Sequence, residues 1–120
     1  TLKYFPNSCR FIPDSTNEFI VSNEWGIAYY KISAKEGEET ACILQWFCGQ
    51  APDTHGLAFL KDGNILALSV KRKAVYAVSK LGALIAVFEN KEIRKATAGD
   101  ICVWEDDLPN KIQSVKILTS

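Results

Sequence analysis

Short apolar runs separated by polar or glycine-containing segments dominate the middle of the chain. Four of them lie close together, at residues 57–60, 65–70, 74–78 and 84–88. Runs of this length, rich in Val, Ile, Leu and aromatic residues and bounded by turn formers, are typical of β-strands joined by hairpins. The pattern therefore predicts a four-stranded antiparallel meander, with Asp62-Gly63 in its first hairpin and Gly63 at positive φ.

The same pattern of strands is found a second time and begins a third time. In the first unit, the aligned segments are residues 9–14, 19–22, 29–33 and 43–47. In the third unit, residues 100–106 and 112–117 align with the first two strands. The sequence thus predicts a single all-β segment over residues 1–120, with repeat units at about 7–47, 55–89 and 99–120, the last of them incomplete.

An asparagine stands just before the second predicted strand of every unit, at Asn17, Asn64 and Asn110. Asn tolerates positive φ and its side chain can hydrogen-bond its own backbone, which suits a hairpin turn. We therefore expect these residues to form the turn between the first and second strands.

A period of roughly 40–50 residues with four strands per unit is typical of β-propellers, whose sheets pack around a central channel lined by their first strands. The stretch HGLAFLKDGNILAL at 55–68, followed by AVYAV at 74–78, resembles a blade of the NHL and gluconolactonase/strictosidine-synthase-like six-bladed propellers. Val103-Trp104-Glu105 is similar to the Trp-Asp motif of WD-repeat proteins, but it falls in a first strand instead of the third. The resemblance implies all-β, antiparallel four-stranded meanders that are part of a β-propeller.

Two and a half units are too few to close a propeller ring. Known rings contain about four to eight blades, because a shorter ring leaves sheet faces and edges open. Three arrangements are consistent with the sequence: the chain is part of a larger polypeptide, several copies assemble into one ring, or the repeat describes a small β-barrel or β-sandwich.

The charges balance, with 14 Lys and Arg residues against 14 Asp and Glu residues. Such a chain has no broad basic surface, so neither a nucleic acid nor a membrane is expected as a partner. No apolar run approaches the roughly 18–20 residues of a membrane span. The four cysteines form no Cys-x-x-Cys pair and are expected to be buried thiols. Since no Asn-x-Ser/Thr acceptor is present either, an intracellular location is favoured.

The single histidine, His55, enters a predicted first strand. The resemblance to gluconolactonase-like propellers implies a calcium site at the rim where such strands begin. Near the equivalent positions, the first and third units carry Asn7 and Asp100, whose side-chain oxygens suit calcium, whereas His55 and Gly99 depart from that pattern. Two oxygen donors are too few for a complete site, and the alternative is that these residues only cap turns.

Lys71-Arg72-Lys73 forms a basic hairpin tip between the second and third strands of the second unit. Exposed hairpin tips often contact partners, and three cations suit a phosphate or an acidic protein surface. These three residues and His55 are the candidate residues for binding a ligand or partner. The alternative is a solubilising tip that discourages pairing between sheet edges.

No catalytic residue is predicted. Ser/His/Asp catalysis needs a nucleophile beside an oriented base, and the chain has no Gly-x-Ser-x-Gly elbow. Glu105, Asp106 and Asp107 are consecutive acids of a kind that is usually solvated. The motifs are therefore more consistent with a binding protein than with an enzyme.

Two aromatic doublets, Tyr29-Tyr30 and Trp46-Phe47, lie in predicted strands of the first unit. Because side chains alternate along a strand, each doublet places one ring on each face of the sheet. We expect the rings to pack against neighbouring sheets.

These features predict a non-catalytic protein-interaction or scaffold segment of a β-propeller. Its partners would be another protein or the remaining blades of the same propeller, and no cofactor is expected. One alternative is part of a calcium-dependent lactonase or esterase-like six-bladed hydrolase. Another is a lectin-like binding module that completes its ring by oligomerising.

Overall fold

The computed structural model describes residues 8–91, 100–104 and 114–118, with side chains described for residues 8–91. The first sheet contains β1 (Ser8–Phe11), β2 (Glu18–Ser22), β3 (Ile27–Ser33) and β4 (Ala41–Cys48). The second contains β5 (Gly56–Phe59), β6 (Ile65–Ser69), β7 (Ala74–Val78) and β8 (Leu84–Glu89). A two-stranded pair consists of β9 (Asp100–Trp104) and β10 (Ser114–Leu118).

Every strand pairs antiparallel with the next one in the chain, so each four-stranded sheet is a simple meander. The described segments contain no helix, and hence none that is long and apolar enough to cross a membrane. The predicted all-β class and four-stranded antiparallel meanders are therefore confirmed. In the second sheet, the predicted and observed strand ends differ by no more than one residue.

The β5–β6 hairpin has the predicted conformation. Gly63 has φ +91°, its amide donates to the carbonyl oxygen of Leu60 at 3.0 Å, and the Asp62 carboxylate accepts the amide of Asn64 at 2.9 Å. Glycine suits this position because it carries no Cβ to clash at positive φ.

Asn17 and Asn64 lie in the connections between the first two strands of their sheets, as expected. In these two hairpins, the positive φ falls on Asp14 and Gly63. The Asn64 side chain instead reaches across its sheet, where Oδ1 accepts the backbone amide of Lys80 at 3.1 Å. A single amide acceptor thereby fixes the β7–β8 hairpin to the β5–β6 hairpin. Asn110 lies outside the described residues.

The largest apolar cluster lies between the first and second sheets. Its fully buried side chains include Ile20 and Ile27 from the first sheet and Leu57, Ile65 and Val78 from the second. A separate buried cluster, Leu66, Leu68, Val70, Val75 and Ala77, includes residues on the opposite face of the second sheet. Every residue of β6 and β7 is buried, which explains why their sequences show no polar alternation and are apolar except for Ser69.

Consecutive first strands lie side by side. β5 lies close to β1, and β9 lies close to β5 and also to β6. β5 thus lies close to the first strands of both other sheets, and the molecule measures 50 × 33 × 25 Å.

Trp46 joins the first two sheets. It belongs to β4, yet its indole Nε1 donates to the carbonyl oxygen of Lys80 in the β7–β8 hairpin at 3.1 Å. Its ring lies directly over Gly82, where a Cβ atom would stand 2.8 Å from two ring carbons. Glycine at position 82, with φ +91°, is thus required both by the turn and by the indole.

We predict that Gly82→Ala lowers the free energy of unfolding by roughly 2–4 kcal/mol, because it adds a clash with the indole to the strain of positive φ. Gly37→Ala is the matched control. Gly37 has φ +81° but no heavy atom within 4 Å of its Cβ position, so only the strain, about 1–2 kcal/mol, is expected. Urea unfolding measures both, and equal losses would contradict the proposed role of the indole contact.

Candidate functional site

The strand connections lie at two opposite rims, because consecutive strands run in opposite directions. Residues 23–26, 49–55 and 70–73 form one rim, called here the basic rim. Residues 12–17, 34–40, 60–64 and 79–83 form the other, called the cleft rim. The residues predicted to bind a ligand or partner, His55 and Lys71-Arg72-Lys73, all lie at the basic rim.

Two of the three cations of the basic tip are already paired. The Asp53 carboxylate accepts a hydrogen bond from Arg72 Nε at 2.9 Å and lies 3.7 Å from Lys71 Nζ. Lys73 adopts φ +53°, its amide donates to the carbonyl oxygen of Val70, and its ammonium forms no ion pair with the residues described. The tip is therefore less cationic than its sequence indicates.

Sequence reasoning missed the role of Asp53. Its carboxylate is only 11% exposed, and its amide donates to the carbonyl oxygen of Glu24 in the β2–β3 connection at 3.2 Å. Asp53 thus contacts the first sheet through its backbone and the second sheet, at Arg72, through its side chain. No local signal reveals this, because Asp53 and Arg72 are 19 positions apart.

The structure describes only part of the predicted calcium site. His55 is half-buried, and its amide donates to the carbonyl oxygen of Leu68 at 2.9 Å. Asn7 lies outside the described residues, and for Asp100 only the backbone pairing with Leu118 is described. Within the described part of the chain, no group of three or more His, Cys, Asp or Glu residues is placed to hold a metal ion. The calcium site stays a prediction.

A cleft opens between the first two sheets at the cleft rim. Its volume is about 380 Å³. Its walls are mainly apolar, formed by Ile12, Ile20, Tyr29, Trp46, Phe59 and Ile65. Gly63, Lys80 and Leu81, from two hairpins of the second sheet, complete the lining.

Three polar side chains at this cleft, Tyr29, Glu18 and Lys31, are close to each other. The Tyr29 hydroxyl donates a hydrogen bond to the Glu18 carboxylate, which also lies 3.9 Å from Lys31 Nζ. Burial, with the hydrogen bond to Glu18, raises the pKa of Tyr29 to about 12. The hydrogen bond from Tyr29 is the main cause that lowers the pKa of Glu18. Near neutral pH, this tyrosine is therefore neutral and the glutamate charged.

The aromatic doublets place their rings on opposite faces of the first sheet, as predicted. On the face towards the second sheet, Tyr29 and Trp46 meet edge to face, with ring centroids 5.7 Å apart. On the other face, Tyr30 stacks on Phe19 at 5.4 Å. Phe47 lies on the same face as Tyr30 but is exposed, so the expectation that each ring packs against a neighbouring sheet is not met at this residue.

The outer face of the first sheet, which is turned away from the second, is also apolar. The strand register aligns Phe11, Phe19, Tyr30 and Leu44 in one row across all four strands. The centre of this row is buried, whereas Phe11 and Leu44 at its ends are 56% and 51% exposed.

The expectation of buried cysteines holds for Cys48, but Cys42 is half-buried and Cys9 is exposed.

At the basic rim, Arg72→Ala is expected to lower the free energy of unfolding by about 0.5 kcal/mol, because it removes a half-exposed ion pair with Asp53. Lys73→Ala, in the same tip but without an ion pair among the described residues, is the control and is expected to have little effect. The loss should shrink when salt is added, since salt screens exposed charges. Equal effects of both substitutions in urea unfolding would contradict a role for the ion pair.

At the cleft rim, stability is expected to fall between about pH 10 and pH 12. The unfolded tyrosine loses its proton near its ordinary pKa of 10.0, whereas folded Tyr29 keeps it until about pH 12. The contribution of Tyr29 to the free energy of unfolding is therefore fully present below pH 10 and is lost as the pH rises towards 12. The difference between the ultraviolet titrations of the wild type and Tyr29→Phe isolates this hydroxyl. If the Tyr29 hydroxyl of the wild type ionised near pH 10, the raised pKa would be contradicted.

No family model, no curated protein and no solved structure matches the chain.

Proposed function

We propose that this chain is a non-catalytic interaction scaffold, a segment of a β-propeller whose partners are further sheets of the same kind. The observation that carries the proposal is the placement of the first strands. β1, β5 and β9 are neighbours in chain order, as expected if successive sheets are arranged around a common axis.

The apolar pattern of the sheet faces supports this proposal. Ile65, Ala67 and Tyr76 belong to the cluster between the first two sheets. In the sequence alignment of the two units, these positions correspond to Phe19, Val21 and Tyr30, on the outer face of the first sheet. The outer face of the first sheet is therefore apolar at the same aligned positions at which the second sheet packs against the first.

The edges of the outer face are well suited to contact a partner. Phe11, Leu44 and Phe47 are each about half exposed at its two edge strands. These exposed apolar side chains are available for contact with a partner at both edges of the face. A non-catalytic role fits the titratable pair at the cleft, since neither Tyr29 nor Glu18 changes its charge near neutral pH.

The chain is expected to self-associate in solution through this outer face. Leu44→Lys should weaken the association by about tenfold or more, because it places a charge in an apolar contact. Ile85→Lys is the matched control: Ile85 is equally exposed, at 55%, but lies on β8 of the second sheet. Sedimentation equilibrium of the three proteins measures the effect.

Two results in solution would contradict the proposal. A 13.3 kDa monomer that unfolds cooperatively, with a midpoint independent of protein concentration, would show that the sheets need no further partner. Equal weakening by Leu44→Lys and Ile85→Lys would show that the outer face is not the contact surface.

A further inference from the structure

The cleft between the first two sheets has the size and the walls of a small-molecule site. A volume of about 380 Å³ falls within the usual range of ligand pockets, roughly 300–1,000 Å³. Three of its wall residues, Tyr29, Trp46 and Phe59, are aromatic, and they come from both sheets. Aromatic side chains interact best with other rings, in offset-stacked or edge-to-face arrangements. The walls therefore favour a planar ligand.

The polar groups of these aromatic walls are already used. The Trp46 indole donates its only N–H to the carbonyl oxygen of Lys80, and the Tyr29 hydroxyl donates to Glu18. A ligand inside the cleft consequently meets mostly carbon, and burying a polar group there without a partner would be costly. The body of the ligand should be apolar.

Lys80 supplies the single charge among the lining residues. Its backbone is fixed, because its amide donates to Asn64 Oδ1 and its carbonyl oxygen accepts the Trp46 indole. Its side chain runs past Gly63, where a Cβ atom would stand 3.4 Å from Lys80 Cδ. The Lys80 ammonium forms no ion pair with any residue that the structure describes. It is thus available to an anionic group of the ligand.

From these three features we infer that the cleft binds a small aromatic carboxylate, with its ring between Tyr29, Trp46 and Phe59 and its carboxylate on Lys80. This binding is independent of the scaffold proposal, since it concerns the cleft between the first two sheets and not the outer face of the first sheet. Shape selects the ring, and charge complementarity selects the acid over neutral compounds.

Isothermal titration calorimetry with indole-3-acetate tests the inference, with indole-3-acetamide and octanoate as comparison ligands. For a ligand of this size, a Kd on the order of 1 mM or tighter is expected. The amide keeps the ring but loses the charge, so it should bind about tenfold more weakly. Octanoate keeps the charge but lacks the ring, and it should also bind more weakly.

Lys80→Gln should reduce the affinity for indole-3-acetate to that for the amide and leave the amide's affinity unchanged. The side chain is exposed, and within the described part of the chain the hydrogen bonds of Lys80 are made by its backbone atoms, so folding should be preserved. Lys35→Gln, at an exposed lysine of the β3–β4 connection, is the matched control and should leave both affinities unchanged.

Chemical-shift mapping locates the ligand. The Trp46 indole N–H and the amides of Gly63 and Leu81 should shift on titration with indole-3-acetate, and those of Arg72 and Lys73 should not. Shifts confined to the basic rim would overturn the inference and assign the anion to the hairpin tip. Equal affinities for acid and amide, tighter binding of octanoate, or no binding at millimolar concentration would each overturn it as well.

Discussion

The structure depends on the second sheet having both of its faces covered. Its two central strands have no polar face, and all their residues are buried. A four-stranded sheet with two apolar faces is not stable alone in water, because each exposed face would cost the free energy of hydrating its aliphatic side chains. The first sheet covers one of these faces, and the placement of β9 beside β5 and β6 puts a further strand next to the same sheet.

Much of the fold follows from short-range patterns, which explains why it is predictable. The length of each apolar run fixes a strand, and residues such as Gly63 fix the turn between two strands. The role of Asn64 was not predictable, because its partner, the amide of Lys80, is 16 positions away. Two hairpins on the same rim become neighbours only after the whole meander has formed, and this neighbourhood is not a local property of the sequence.

The candidate sites were less predictable than the fold for the same reason. The basic tip was visible as three consecutive cations, but Asp53, which neutralises part of it, comes from a connection that precedes β5. The cleft had no sequence signature at all. Alternation predicted that each aromatic doublet places one ring on each face of the sheet, but whether such rings fill the space between two sheets or leave a void depends on side chains of both sheets together.

Trp46 belongs both to the wall of the cleft and to the contact between the first and second sheets. The same indole forms a wall of the cleft, rests on Gly82 and donates to the hairpin of the second sheet. A change in the separation of the two sheets would therefore move one wall of the cleft. By thermodynamic reciprocity, a ligand that favours one position of this wall would also favour one arrangement of the two sheets.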